Sequence, residues 1–191
     1  MKDLVLLPIL GEFLHYPGPS TVANLELRRK EMAPLNHAIS EKLGQFLDFA
    51  RACSLAELQE QFTRTFDLNP VCALEVGWHL FGEDYRRGRF LAFIRSKLAE
   101  NGIKESGELP DHLIHILPLL GRMVPPEAAE RLARDCVGRA VRQMVSALQE
   151  ASNPFLPVIE CIESVLVSCW GSIPDGLPVQ SSAEPGREDF V

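Results

Sequence analysis

The stretch "FDLNPVCALEVGWHLFGEDYRRGRFLAFI", Phe66 to Ile94, decides the fold. Asn69-Pro70 is a helix start, with Asn as cap and Pro at the first helical position. The apolar run that follows predicts a helix ending at Gly82. Asp84 then caps a second helix, which buries Phe90, Phe93 or Ile94, and Leu98, and stops at Asn101-Gly102. Two helices in close succession, with no Val/Ile/Thr alternation, make this an α-protein. The stretch also sets Trp78 and His79 near Arg86, Arg87 and Arg89. That grouping suits a core, a metal site or a docking surface.

The same punctuation recurs along the rest of the chain. Leu4, Leu7, Leu10, Phe13 and Leu14 share one helical face, and Tyr16-Pro17-Gly18 ends that helix. Ser20 or Asn24 opens a polar helix that Pro34 interrupts. Leu35, Ile39, Leu43, Phe46, Leu47 and Ala50 form a core-facing stripe. Ser54 and Glu57 form a capping box ahead of Leu55, Leu58, Phe62 and Phe66. Pro110 opens a helix with Leu113, Ile116, Leu117 and Leu120. Pro125-Pro126 opens a long one from Leu132 to Leu148, and Asn153-Pro154 opens the last. After Gly171 the composition turns to Ser, Pro, Gly and charge. The reading is an all-α, single-domain bundle over residues 1–170 with a flexible tail over 171–191.

The 191 residues are 46 % apolar, enough for one sizeable core, and the formal net charge is −7. A nucleic-acid binder needs a basic stripe, and Arg28-Arg29-Lys30 and Arg86-Arg87 do not outweigh the acidic background. Acidic balance favours cationic ligands or basic peptides. The five cysteines are odd in number and form no C-x-x-C pair, as expected of small thiols in a reducing compartment. Lys2 before an apolar run imitates a signal peptide, but Asp3 and Glu12 flank it and no cleavage site follows. An amphipathic first helix and a cytoplasmic protein are expected. No run reaches the ~20 apolar residues of a membrane span.

Candidate chemistry is sparse. His112 and His115 share a helix face, and Glu75 and His79 stand at i, i+4, so a helical metal-binding protein or metalloenzyme using His79, His112 and His115 is one alternative. There is no H-E-x-x-H, no G-x-S-x-G and no phosphate-binding glycine loop. Asp111 and His112 fall in the first turn of the helix that Pro110 opens, where the helix dipole favours a carboxylate.

"TFDLNP" (65–70), "WHLFGEDYRRGRFL" (78–91) and "ELPDHL" (108–113), in that order, resemble the delta-subunit assembly chaperones of respiratory nitrate reductases. These are the NarJ branch of the TorD/DmsD group. "FLHYPG" (13–18) is similar to the family's opening helix, and a looser likeness runs on to Trp170. The resemblance implies a TorD-like all-helical bundle with no enzymatic activity. It implies a chaperone, monomeric or weakly dimeric, with no nucleic-acid partner and no stable membrane association. Its partner would be the N-terminal leader of a molybdoenzyme catalytic subunit, respiratory nitrate reductase first. It would hold no cofactor stably itself, but would keep the client ready for insertion of molybdopterin guanine dinucleotide. The Asp-His matching Asp111-His112 would line the leader groove, with Trp78 close by and Glu108 adding negative field. Many relatives carry Tyr where this chain has His112. A neutral His112 accepting a hydrogen bond should weaken binding on protonation, below its ordinary pKa of ~6.5.

Overall fold

The computed structural model describes residues 2–174. A short 3₁₀ turn, Lys2–Val5, leads into α1 (Leu6–Glu12), followed by α2 (Thr21–Met32), α3 (His37–Ala52) and α4 (Leu55–Phe62). Then come α5 (Val76–Phe81), α6 (Arg86–Glu100), α7 (Leu113–Leu120), α8 (Pro126–Arg131), α9 (Gly138–Glu150) and α10 (Leu156–Trp170). Among the described residues there is no β-sheet, and the all-α expectation holds.

The caps behave as their chemistry dictates. The Asn36 side chain accepts from the Ile39 N–H at 3.2 Å. Ser54 and Glu57 close a reciprocal capping box. Asp84 accepts the Arg86 N–H at 2.8 Å, and Asn153 accepts the Phe155 N–H at 2.9 Å. Each supplies an acceptor to an N–H that has no partner inside its own helix.

Several boundaries differ from the sequence reading. Asn69 caps only a single 3₁₀ turn, Pro70–Cys72, and the chain is extended at Ala73 and Glu75 before α5 begins. Single π-turns, Thr63–Asp67 and Leu132–Val137, prolong α4 and join α8 to α9. Leu35 lies in the loop after α2 and Leu55 opens α4 at the surface, so both are exposed instead of joining the core. Ile173 docks in the groove of α9: a Cβ on Gly138 would lie 2.8 Å from its Cγ1, and Arg142 donates to its carbonyl at 2.9 Å. The rest of the expected tail, residues 175–191 with Leu177, lies outside the described residues.

Helix α1 packs on α7 and α10, α10 packs on α3 and α9, and α2 covers α3. At the centre Phe155 meets Phe46 at 4.8 Å between ring centroids, Phe66 at 4.9 Å and Phe62 at 5.9 Å. These edge and tilted contacts follow the ring quadrupoles and add to plain area burial. The cluster reaches the surface at Tyr16, whose exposed ring stands edge-on to Phe62 at 5.5 Å. The buried aromatic core therefore reaches the outside at Tyr16.

No helix among the described residues is long and apolar enough to cross a membrane. The cysteines are free thiols, with Cys72 and Cys161 buried and Cys53, Cys136 and Cys169 half-buried. Burial pushes Cys136 and Cys161 up to about 12, which keeps them protonated and unreactive.

Candidate functional site

The place where the aromatic core opens is a cleft of about 520 Å³. Leu14, His15 and Tyr16 border it after α1. Phe62, Phe66 and Asp67 come from α4 and its π-turn, and Pro70, Ala73, Leu74, Glu75 and Trp78 supply one flank. Arg87, Glu108, His112 and Ile114 complete it. The volume suits a few side chains or a small molecule.

Its geometry is fixed by a staple between two distant segments. Glu75 and His112 form an isolated antiparallel bridge. Val76 N–H donates to the Asp111 carbonyl at 3.0 Å, and Leu113 N–H donates to the Leu74 carbonyl at 2.9 Å. The staple requires extended backbone on both sides, which is why the helix expected from Asn69 breaks at Ala73. It also moves Asp111 and His112 out of a helical turn. They precede α7, and His112 is its cap, with Nδ1 accepting the Ile114 N–H at 3.2 Å.

Asp111 is fully buried and does not border the cleft. Its Oδ2 accepts the Gly77 N–H in the first turn of α5 at 2.8 Å, and Oδ1 has no hydrogen-bond partner. Burial pushes its pKa up, while the Gly77 N–H and the Arg87 charge pull it down. The fit is close: a Cβ on Gly77 would lie 2.6 Å from Asp111 Oδ2 and 2.9 Å from Phe90 Cδ1.

Trp78 is half-buried and borders the cleft, with its indole N–H donating to the Pro70 carbonyl at 2.9 Å. The Arg87 guanidinium sits 5.5 Å from the Trp78 ring, a cation–π arrangement. Arg86 takes a different role, pairing with Asp84 at 3.0 Å. Glu108 is exposed on the rim, in a loop that His115 holds. The His115 Nε2 accepts the Ser106 N–H at 2.9 Å, and Nδ1–H donates to the Leu109 carbonyl at 2.9 Å.

His112 is held well below its ordinary value, to about 3, first by burial and then by the neighbouring His115 and His15 imidazoles. Its protonation near pH 6.5, expected from the sequence, is therefore displaced far into acid. His79 is also lowered by burial, against bonds to the Ala73 carbonyl at 2.7 Å and the Gln143 amide at 3.3 Å. The histidines of the metal reading do not converge. Both ring nitrogens of His79 and of His115 face protein partners, and the described residues hold no group of three His, Cys, Asp or Glu that could bind a metal.

Of the four residues expected to meet a peptide, the cleft gathers Trp78, Glu108 and His112, and Asp111 lies beneath it. The sequence reading did not single out Tyr16, His15, Phe66, Asp67 or Glu75 as part of one surface. A signal existed at Glu75, a lone carboxylate inside the apolar run Leu74–Val76.

The family model described as nitrate reductase delta subunit matches residues 32–160. That span holds the whole cleft except its border after α1. The nitrate reductase molybdenum cofactor assembly chaperones NarJ of Escherichia coli K12 and of Escherichia coli O157:H7 are each 26 % identical over 133 residues. The match covers 68 % of this chain and 56 % of theirs, so the chain spans little more than half the length of these curated relatives. With the family model covering most of an all-helical chain, the protein belongs to the nitrate reductase delta subunit family.

Proposed function

We propose that this protein is a cytoplasmic assembly chaperone for a molybdoenzyme, respiratory nitrate reductase first among clients. In this reading the cleft binds the N-terminal leader of the catalytic subunit and keeps the subunit competent for insertion of molybdopterin guanine dinucleotide. The cofactor goes into the client, and this chain performs no chemistry of its own. Family membership supports the chaperone role, as do the NarJ relatives, whose name carries it.

The observation that carries the reading is the pairing of an apolar wall with an acidic border in one cleft. Tyr16 and Trp78 offer aromatic surface, backed by the buried Phe62 and Phe66, and Asp67, Glu75 and Glu108 offer carboxylates. An amphipathic helix with basic residues beside its apolar face complements both features. The volume takes the side chains of one or two helical turns, so the rest of a leader would lie over the exposed Leu68 and Val71, which adjoin the bordering Asp67 and Pro70.

The test is assembly in cells that lack the chaperone. Nitrate reductase made there should be deficient in molybdenum cofactor. Wild-type protein should restore cofactor content, and Trp78→Ala should restore it poorly at equal expression. Full cofactor content without the chaperone would refute the proposal.

A further inference from the structure

Glu75 stands immediately before α5, where a side chain ordinarily caps the first turn. It makes no cap bond. Asp111, reaching from the far side of the staple, takes the Gly77 N–H in its place. The Glu75 carboxylate is thereby released from a structural duty and borders the cleft beside Trp78.

Its surroundings there are unusual for this molecule. Glu12, Glu26, Asp84, Glu105, Glu160 and Glu163 each sit within ion-pair distance of a Lys or Arg. Glu75 is half-buried, bonded through its side chain to its own N–H, and has no ion pair among the described residues. Burial raises its pKa, and the Asp111 and Glu108 charges act the same way against the opposing pull of Arg87. Three carboxylates border the cleft against one guanidinium, and that guanidinium is stacked on Trp78. A negative charge held partly out of water without a direct ion pair, and only partly offset by Arg87, is a cost to the empty protein.

We propose that Glu75 is the charge-selecting residue of the cleft and receives a lysine or arginine side chain of the bound client segment. The inference rests on the reading of the cleft as the leader site. Depth separates Glu75 from Glu108. An ion pair at a half-buried carboxylate is screened less than one on the exposed rim, so it discriminates more strongly between charged and neutral partners.

The test uses the full-length protein and two synthetic peptides. One is the leader of the nitrate reductase catalytic subunit, and the other replaces its Lys and Arg by norleucine and citrulline. Calorimetric titration should show Glu75→Gln binding the basic leader about tenfold more weakly than wild type, with little difference for the neutral peptide. Glu108→Gln should show a smaller effect, abolished by salt. The free Glu75→Gln protein should melt at or above the wild-type temperature, since the variant removes a partly buried charge that has no direct ion pair. The proposal is overturned if Glu75→Gln and wild type discriminate equally between the peptides, or if Glu75→Gln melts well below wild type. The leader-site reading survives either result provided that Trp78→Ala still weakens binding. Absence of any leader binding to wild-type protein overturns both.

Discussion

The Asp111 carboxylate and the Gly77 N–H, 34 residues apart in sequence, meet at 2.8 Å in a fully buried contact. The bond ties the start of α5 to the segment that leads into α7, and so holds Trp78 against the cleft. Asp111→Ala strands a buried N–H and should cost about 1–3 kcal/mol. Gly77→Ala drives a methyl group into the carboxylate and Phe90, and should cost a similar about 1–3 kcal/mol. Because Asp111→Ala removes one of the atoms that Gly77→Ala strikes, the double variant should lose less than the two losses added. Denaturant titration of the four proteins checks this, and strict additivity would count against the contact.

Much of the fold was legible because its signals are local. The Ser54 box, the Asn153 cap and the Leu43–Leu47–Ala50 stripe depend on residues within a few positions of one another. The break after Cys72 was not legible, since it exists to make the bridge from Glu75 to His112. Asp111 was misplaced for the same reason. Beside a Pro and before an apolar run, a carboxylate reads as part of the first turn of the helix that follows. In the folded chain it caps another helix and is buried. The cleft was half legible: the motifs hold Tyr16, Phe66, Trp78, Glu108 and His112, but that Tyr16 and Phe66 join the others on one surface depends on the packing of Tyr16 on Phe62 and of Phe66 on Phe155.

The His112 environment makes stability depend on pH with a definite sign. Its ring protonates near 6.5 in an unfolded chain and at about 3 in the folded one. Between those values the unfolded chain binds a proton that the folded chain refuses, so stability falls as pH falls. From pH 7 to pH 5 this site should remove about 1–2 kcal/mol. His112→Asn keeps an acceptor for the Ile114 N–H and removes the titration. Urea midpoints of both proteins at the two pH values provide the check, since His79 and the raised carboxylates Glu75 and Asp111 are common to both. An equal acid loss in both proteins would contradict the assignment.

Phe155 touches three other phenylalanines and is almost wholly buried. Phe155→Ala should cost about 3–5 kcal/mol by lost transfer energy and residual cavity. It should also weaken leader binding, because Phe62 and Phe66 border the cleft from above it. Thermal melting followed by peptide titration below the transition separates the two effects.

A leader peptide seated in the cleft would cover the Trp78 indole. The chain has two tryptophans, and Trp170 stands at the end of α10, away from the cleft lining. In a Trp170→Phe protein the emission reports Trp78 alone. Titration with the synthetic leader should give a saturable blue shift as the half-exposed indole is covered, with the same midpoint as calorimetry on that protein. Saturable binding by calorimetry with no change in Trp78 emission would place the peptide elsewhere and contradict leader binding in the cleft.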